Sequence, residues 1–150
     1  LNDLGSSPQV LLQEGSSIML KAIIIDGNAI SRDLLRQVLA NGGYQIVGQT
    51  NAAPQGLALT LKHQPHIICI DMQIFDDDPH LLGRIQNALP KTLIFMVSSQ
   101  LGAQDVQVAL ARGVHGFIIK PFNTAAVLTT IKNAVLALIK KQQAQVAQQG

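Results

Sequence analysis

The sequence predicts an α/β fold, a doubly wound five-stranded parallel sheet with helices on both faces. Three observations predict it. Five short apolar runs recur along the chain, each followed by a segment of helical character. Several of these runs are apolar at every position, the pattern of strands buried on both faces. Three runs end in a reactive polar residue: Asp26 after KAIII, Asp71 after HIICI and Lys120 after GFII, with Ser98 after LIFMV as a fourth. A buried strand has no use for a carboxylate or an ammonium at its tip. The carboxyl ends of parallel strands, however, are where such sheets bind ligands. Two carboxylates, a hydroxyl and an amine converging there suit a cation and a phosphoryl group.

Residues 1–18 carry two Gly-Ser-Ser clusters and a proline with no sustained period, and are expected to be a flexible leader or an expression remnant outside the fold. The domain is expected over 19–143. Residues 21–26 form the first strand. The helix over 31–40 places Ile30, Leu34, Leu35, Val38 and Leu39 at three-to-four spacing on one face, and Asn41-Gly42-Gly43 stops it. Residues 44–50 are the second strand, and 54–62 a short helix with proline in its first turn. The third strand covers 66–71. The acidic segment MQIFDDDP is then expected as a loop before a helix over 79–88. The fourth strand (92–99) leads to a helix over 103–111 ended near Gly113, and the fifth strand (114–120) to a last helix over 123–143. The glutamine-rich tail, 144–150, either extends that helix or frays. Five helices in all are expected, with right-handed crossovers.

Composition narrows the function. A net charge of +2 with scattered lysines and arginines gives no basic stripe, which argues against direct nucleic-acid binding. No apolar stretch approaches the ~20 residues of a membrane span, and the N-terminus lacks the pattern of a signal peptide, so a soluble cytoplasmic protein is expected. The single cysteine, Cys69, lies inside an apolar run and is expected in the core. Five of the seven acids beyond Met19 (Asp26, Asp71, Asp76, Asp77, Asp78) follow the first or third run. Such focusing favours a hard divalent cation, although Asp76 to Asp78 read equally well as a solvated loop. His63, His66, His80 and His115 lack metal-ligand spacing and are expected in surface or packing roles.

In order and spacing, IIIDGNAISRDLL, HIICIDMQIFDDD, LIFMVSS and GFIIKPF resemble a response-regulator receiver domain, the CheY-like phosphoacceptor module of two-component signalling, over about residues 20–140. The resemblance implies a flavodoxin-like strand order 2-1-3-4-5. It makes Asp71 the phosphoacceptor, Lys120 its partner, Ser98 the switch hydroxyl and Phe117 the switch aromatic. A carboxylate attacks phosphorus to form an acyl phosphate; the bland alternative for Asp71 is a helix or turn cap. Mg²⁺ is the implied cofactor, held by Asp26 and Asp71. The family's second acid after the first strand is replaced by Gly27, so binding is expected to be weak, with Asn28 an auxiliary oxygen donor.

The implied partners are a sensor histidine kinase or phosphotransfer protein and a downstream protein target. Leu136 and Ile139 widen the apolar face of the last helix, pointing either to a homodimer through the last two helices or to a fuller core. The chain would catalyse only its own phosphorylation and dephosphorylation. The alternative reading is a phosphorylation-independent interaction or dimerisation module. A nucleotide- or flavin-binding protein of the same architecture is disfavoured, because no G-x-G-x-x-G follows the first strand.

Overall fold

The computed structural model describes residues 19–149. The expected leader over 1–18 lies outside them. Five strands, β1 (Lys21–Ile25), β2 (Gln45–Thr50), β3 (Ile67–Asp71), β4 (Leu93–Ser98) and β5 (Gly116–Ile119), form one parallel sheet in the order β2-β1-β3-β4-β5. The expected architecture and strand order are therefore observed. β4 is buried at every residue, as its unbroken apolar run requires. β2, on the edge, is only partly buried.

Among the described residues six helices cover the sheet: α1 (Ala29–Asn41), α2 (Ala53–His63), α3 (Met72–Asp77), α4 (Leu81–Ala88), α5 (Ala103–Ala111) and α6 (Thr124–Gln149). α1 and α6 bury Leu35, Leu39, Val127, Ile131 and Val135 against one face. α2 to α5 cover the other, where Ile74, Phe75, Leu81, Leu82, Ile85 and Ala109 close over Ile23, Ile68 and Ile94. Cys69 is fully buried in the first of these cores, and burial pushes its thiol pKa up to about 12. It is inert packing at neutral pH.

Two expectations are corrected. The segment after Asp71 is the short helix α3 rather than a loop, so the helices number six rather than five among the described residues. Ile74 and Phe75 drive it, adjacent apolar residues that both reach the core, while the Asp71 carboxylate caps its first turn. Ile30 and Leu34 do not join the buried face of α1; they are 73% and 49% exposed. With Leu35 and Leu39 centred on the sheet, a helix turning about 100° per residue carries Leu34 to its flank and Ile30 further round.

Candidate functional site

Parallel pairing places the carboxyl ends of β1, β3, β4 and β5 along one edge. Asp26 follows β1, and its backbone N–H donates to Thr50 O at 3.0 Å, which fixes the turn out of the strand. The residue is 2% exposed. Oδ1 accepts from the backbone N–H of Asn28 at 2.9 Å. Oδ2 lies 3.0 Å from Lys120 Nζ in an ion pair, yet has no aligned hydrogen-bond donor among the described residues. Asp71 ends β3. Its Oδ1 accepts from Lys120 Nζ at 2.9 Å and its Oδ2 from the backbone N–H of Gln73 at 3.1 Å. It is thus both the N-cap of α3 and a member of a carboxylate–ammonium–carboxylate cluster.

Lys120 sits between the two acids because its backbone N–H donates to Ser98 O at 2.9 Å, extending the β4–β5 ladder by one step. The following Lys120–Pro121 peptide bond is cis. Burial pulls the Lys120 ammonium pKa down, but the hydrogen bond to Asp71 and the ion pairing with both Asp71 and Asp26 outweigh it and leave it above the ordinary lysine value. The lysine stays protonated. Two carboxylates and one ammonium leave the cluster with one net negative charge.

The Ser98 hydroxyl closes a small turn. It donates to Gln100 O at 2.9 Å and accepts from Gln100 N–H at 3.1 Å, with Met72 Sδ 3.4 Å away. Asp71, Ser98 and Lys120 line one cleft of about 430 Å³, with Met72, Gln73, Asp76, Ser99, Gln100, Gly102 and Asp105 completing its walls. Phe117 lies outside it. It stands in β5 opposite Met96, partly buried against the core under α2 to α5. Asn28 is the N-cap of α1, its side-chain oxygen accepting from Ser31 N–H at 2.9 Å. Any metal contact would share that oxygen with the cap.

Three neighbours escaped sequence reasoning. Arg32 donates from its guanidinium to Asp26 O at 2.7 Å, and Met72 and Gln100 surround the Ser98 hydroxyl. The only sequence signal was position: Arg32 lies in the first turn of the helix that follows Asp26, and Met72 directly follows Asp71.

For a divalent cation the donor set is small. Among the described residues no three His, Cys, Asp or Glu side chains group to hold a metal. Mg²⁺, however, usually keeps several waters and takes one or two carboxylates together with phosphate oxygens. Asp26 and Asp71 meet that minimum, and the buried Oδ2 of Asp26 has the Lys120 ion pair but no hydrogen bond among the described residues.

The model of the response regulator receiver domain matches residues 22–132. The chain belongs to that family. This makes it a CheY-like receiver of two-component signalling. Among curated proteins it is 31% identical over 110 residues to protein-glutamate methylesterase/protein-glutamine glutaminase 6 of Anaeromyxobacter dehalogenans, covering 73% of this chain and 31% of that protein. It is 25% identical over 117 residues to chemotaxis protein CheY of Bacillus subtilis, covering 77% of this chain and 97% of CheY. The receiver spans 31%, 46% and 39% of three longer relatives it matches, two methylesterases/glutaminases and a sensory transduction protein LytT, so most of each relative lies outside the match. Among solved structures, a CheY-like receiver domain protein from Methanospirillum hungatei superposes with a TM-score of 0.72 at 22% identity, covering 83% of this chain and 99% of that one. That likeness concerns the fold. No helix of the described receiver is long and apolar enough to cross a membrane.

Proposed function

We propose that the receiver accepts a phosphoryl group on Asp71 from a histidine kinase or phosphotransfer protein and signals through a changed protein-binding surface. One observation carries the reading: Lys120 Nζ stands 2.9 Å from Asp71 and 3.0 Å from Asp26 at the carboxyl edge of the sheet. A carboxylate oxygen of Asp71 attacks phosphorus in line. The new O–P bond makes an acyl phosphate as the P–N bond to the donor imidazole breaks, and the imidazole leaves with the electron pair. The ammonium of Lys120 is already within a hydrogen bond of the attacking group and answers the added phosphoryl charge. Asp26 and Asp71 would hold Mg²⁺, which when bound neutralises charge developing on the transferring group.

The Ser98 hydroxyl is committed to Gln100. Binding a phosphoryl oxygen means leaving that turn, and this exchange of partners is the local event that biases β5, Phe117 and the α5 surface. Exposed Val108 and Leu110 on α5 and Ile119 on β5 supply apolar area for a protein target.

Intact-protein mass after incubation with a small phosphodonor, with and without Mg²⁺, tests the reading. A metal-dependent gain of one phosphoryl group, absent in Asp71→Asn, is the expected result. No gain under conditions that modify an ordinary receiver defeats it. That outcome would favour the second reading, a phosphorylation-independent interaction or dimerisation module. Its support is Gly27 in place of an acid, together with Leu136 and Val146 exposed on α6.

A further inference from the structure

Of the acidic run after the acceptor, only one member faces the cleft. Asp77 Oδ1 accepts from Gln73 Nε2 at 2.9 Å, and Asp78 Oδ1 accepts from the backbone N–H of His80 at 3.2 Å; neither lines the cleft. Asp76 does, from an exposed position on α3. Asp105 also lines it, from the first turn of α5, held in place because its Oδ2 accepts from Gly102 N–H at 3.2 Å. The two carboxylates therefore both line the cleft that holds Asp71, one from α3 and one from α5. The remaining wall residues Gln73, Ser99 and Gln100 are neutral, and among the described residues the only cation in the lining is Lys120, already shared between two acids.

We propose that Asp76 and Asp105 determine specificity among small phosphodonors, screening the acceptor against doubly anionic acyl phosphates relative to the singly charged phosphoramidate. This rests on Asp71 being the phosphoacceptor. The physical basis is the field at the mouth of a concave site, where charges of one sign alter the encounter rate of a charged reactant. A free acyl phosphate is a dianion and meets both carboxylates before it meets Lys120. A phosphoramidate carries one net negative charge and is repelled less. Neither rim acid takes part in the transfer. In both cases the O–P bond to Asp71 forms as the old bond to phosphorus breaks; acetate leaves with its electron pair, or the already protonated nitrogen of phosphoramidate leaves as ammonia with the P–N pair. Both carboxylates are exposed to solvent, so the discrimination is a low-salt effect that weakens as the Debye length shortens.

The experiment compares rate constants for Asp71 phosphorylation by acetyl phosphate and by phosphoramidate, in Mg²⁺, at low and high ionic strength. Wild type and the double variant D76N/D105N are used; the amide introduced at position 105 keeps an oxygen for the Gly102 N–H. The expected result is a rise of about five- to tenfold in the acetyl phosphate rate on substitution at low salt, a change below about twofold with phosphoramidate, and convergence of the two proteins at high salt. An equal change with both donors, or none with acetyl phosphate, overturns the specificity role while leaving Asp71 as acceptor. Transfer from neither donor defeats the acceptor reading and this inference with it.

Discussion

A Cβ added at Gly27 meets nothing within 4 Å, and the residue is exposed outside the left-handed backbone region. An aspartate there would need no repacking and would put a second carboxylate next to Asp26 in the chain. Gly27→Asp is expected to tighten Mg²⁺ binding about tenfold, read by calorimetric titration, because affinity for hard cations follows the number of charged oxygen ligands. Unchanged affinity would mean that Asp26 and Asp71 do not form the cation site. At this scale the sequence was informative about one class of residue. Asp26, Asp71, Ser98 and Lys120 were legible because parallel strands deliver their last residues to a common edge. Arg32, Met72 and Gln100 were not, since their roles depend on side-chain direction and on the path of a turn. The double part of Asp71, cap and cluster member at once, also needed coordinates to see.

Among the elements, two histidines share a device. His66 precedes β3 and His115 precedes β5; each donates its backbone N–H to a neighbouring strand and accepts that same residue's N–H on Nδ1. The pairs are His66 with Lys21, at 3.0 and 2.9 Å, and His115 with Ile94, at 2.8 and 3.0 Å. The imidazoles stand in for backbone carbonyls at the amino ends of the ladders. Burial holds both pKa values below the ordinary histidine value. A lowered histidine pKa means that the unfolded chain binds protons first as pH falls. The stabilisation is therefore complete above the unfolded histidine value of about 6.5 and is lost as pH falls from there toward the folded values. Urea midpoints should drop between about pH 7.5 and about pH 5, and H66N/H115N, whose amide oxygens can take the place of Nδ1, should flatten that dependence. An unflattened profile would assign the loss to other groups. The packing role expected for these two histidines from sequence was the right kind, but nothing in spacing shows an imidazole completing a ladder. Helix α5 was legible to the residue because Gly102 and the turn at Gly113 bracket it, whereas α3 was hidden by its acids.

Across the whole molecule, the sheet divides the interior into two apolar compartments, one under α1 and α6 and one under α2 to α5. Side chains in different compartments share no packing, so their losses should add. Ile131→Val, from the first, and Ile85→Val, from the second, are each expected to cost about 1 kcal/mol, and the double variant their sum within about 0.5 kcal/mol in denaturant unfolding. A larger deviation would show that strain crosses the sheet. The five-strand architecture itself was legible because the uninterrupted apolar runs of β1, β3 and β4 suit strands covered on both faces, and β2 and β5 follow in the same alternation with helices.

One stretch of chain belongs to both compartments. Phe117 is packed in one and Phe122 in the other, and Lys120 lies between them with its ammonium on Asp71 and Asp26. The segment works as a beam resting on two supports with the load applied between them. Under the proposed function, a charge placed on Asp71 would pull on a lysine whose chain is anchored in both halves of the receiver.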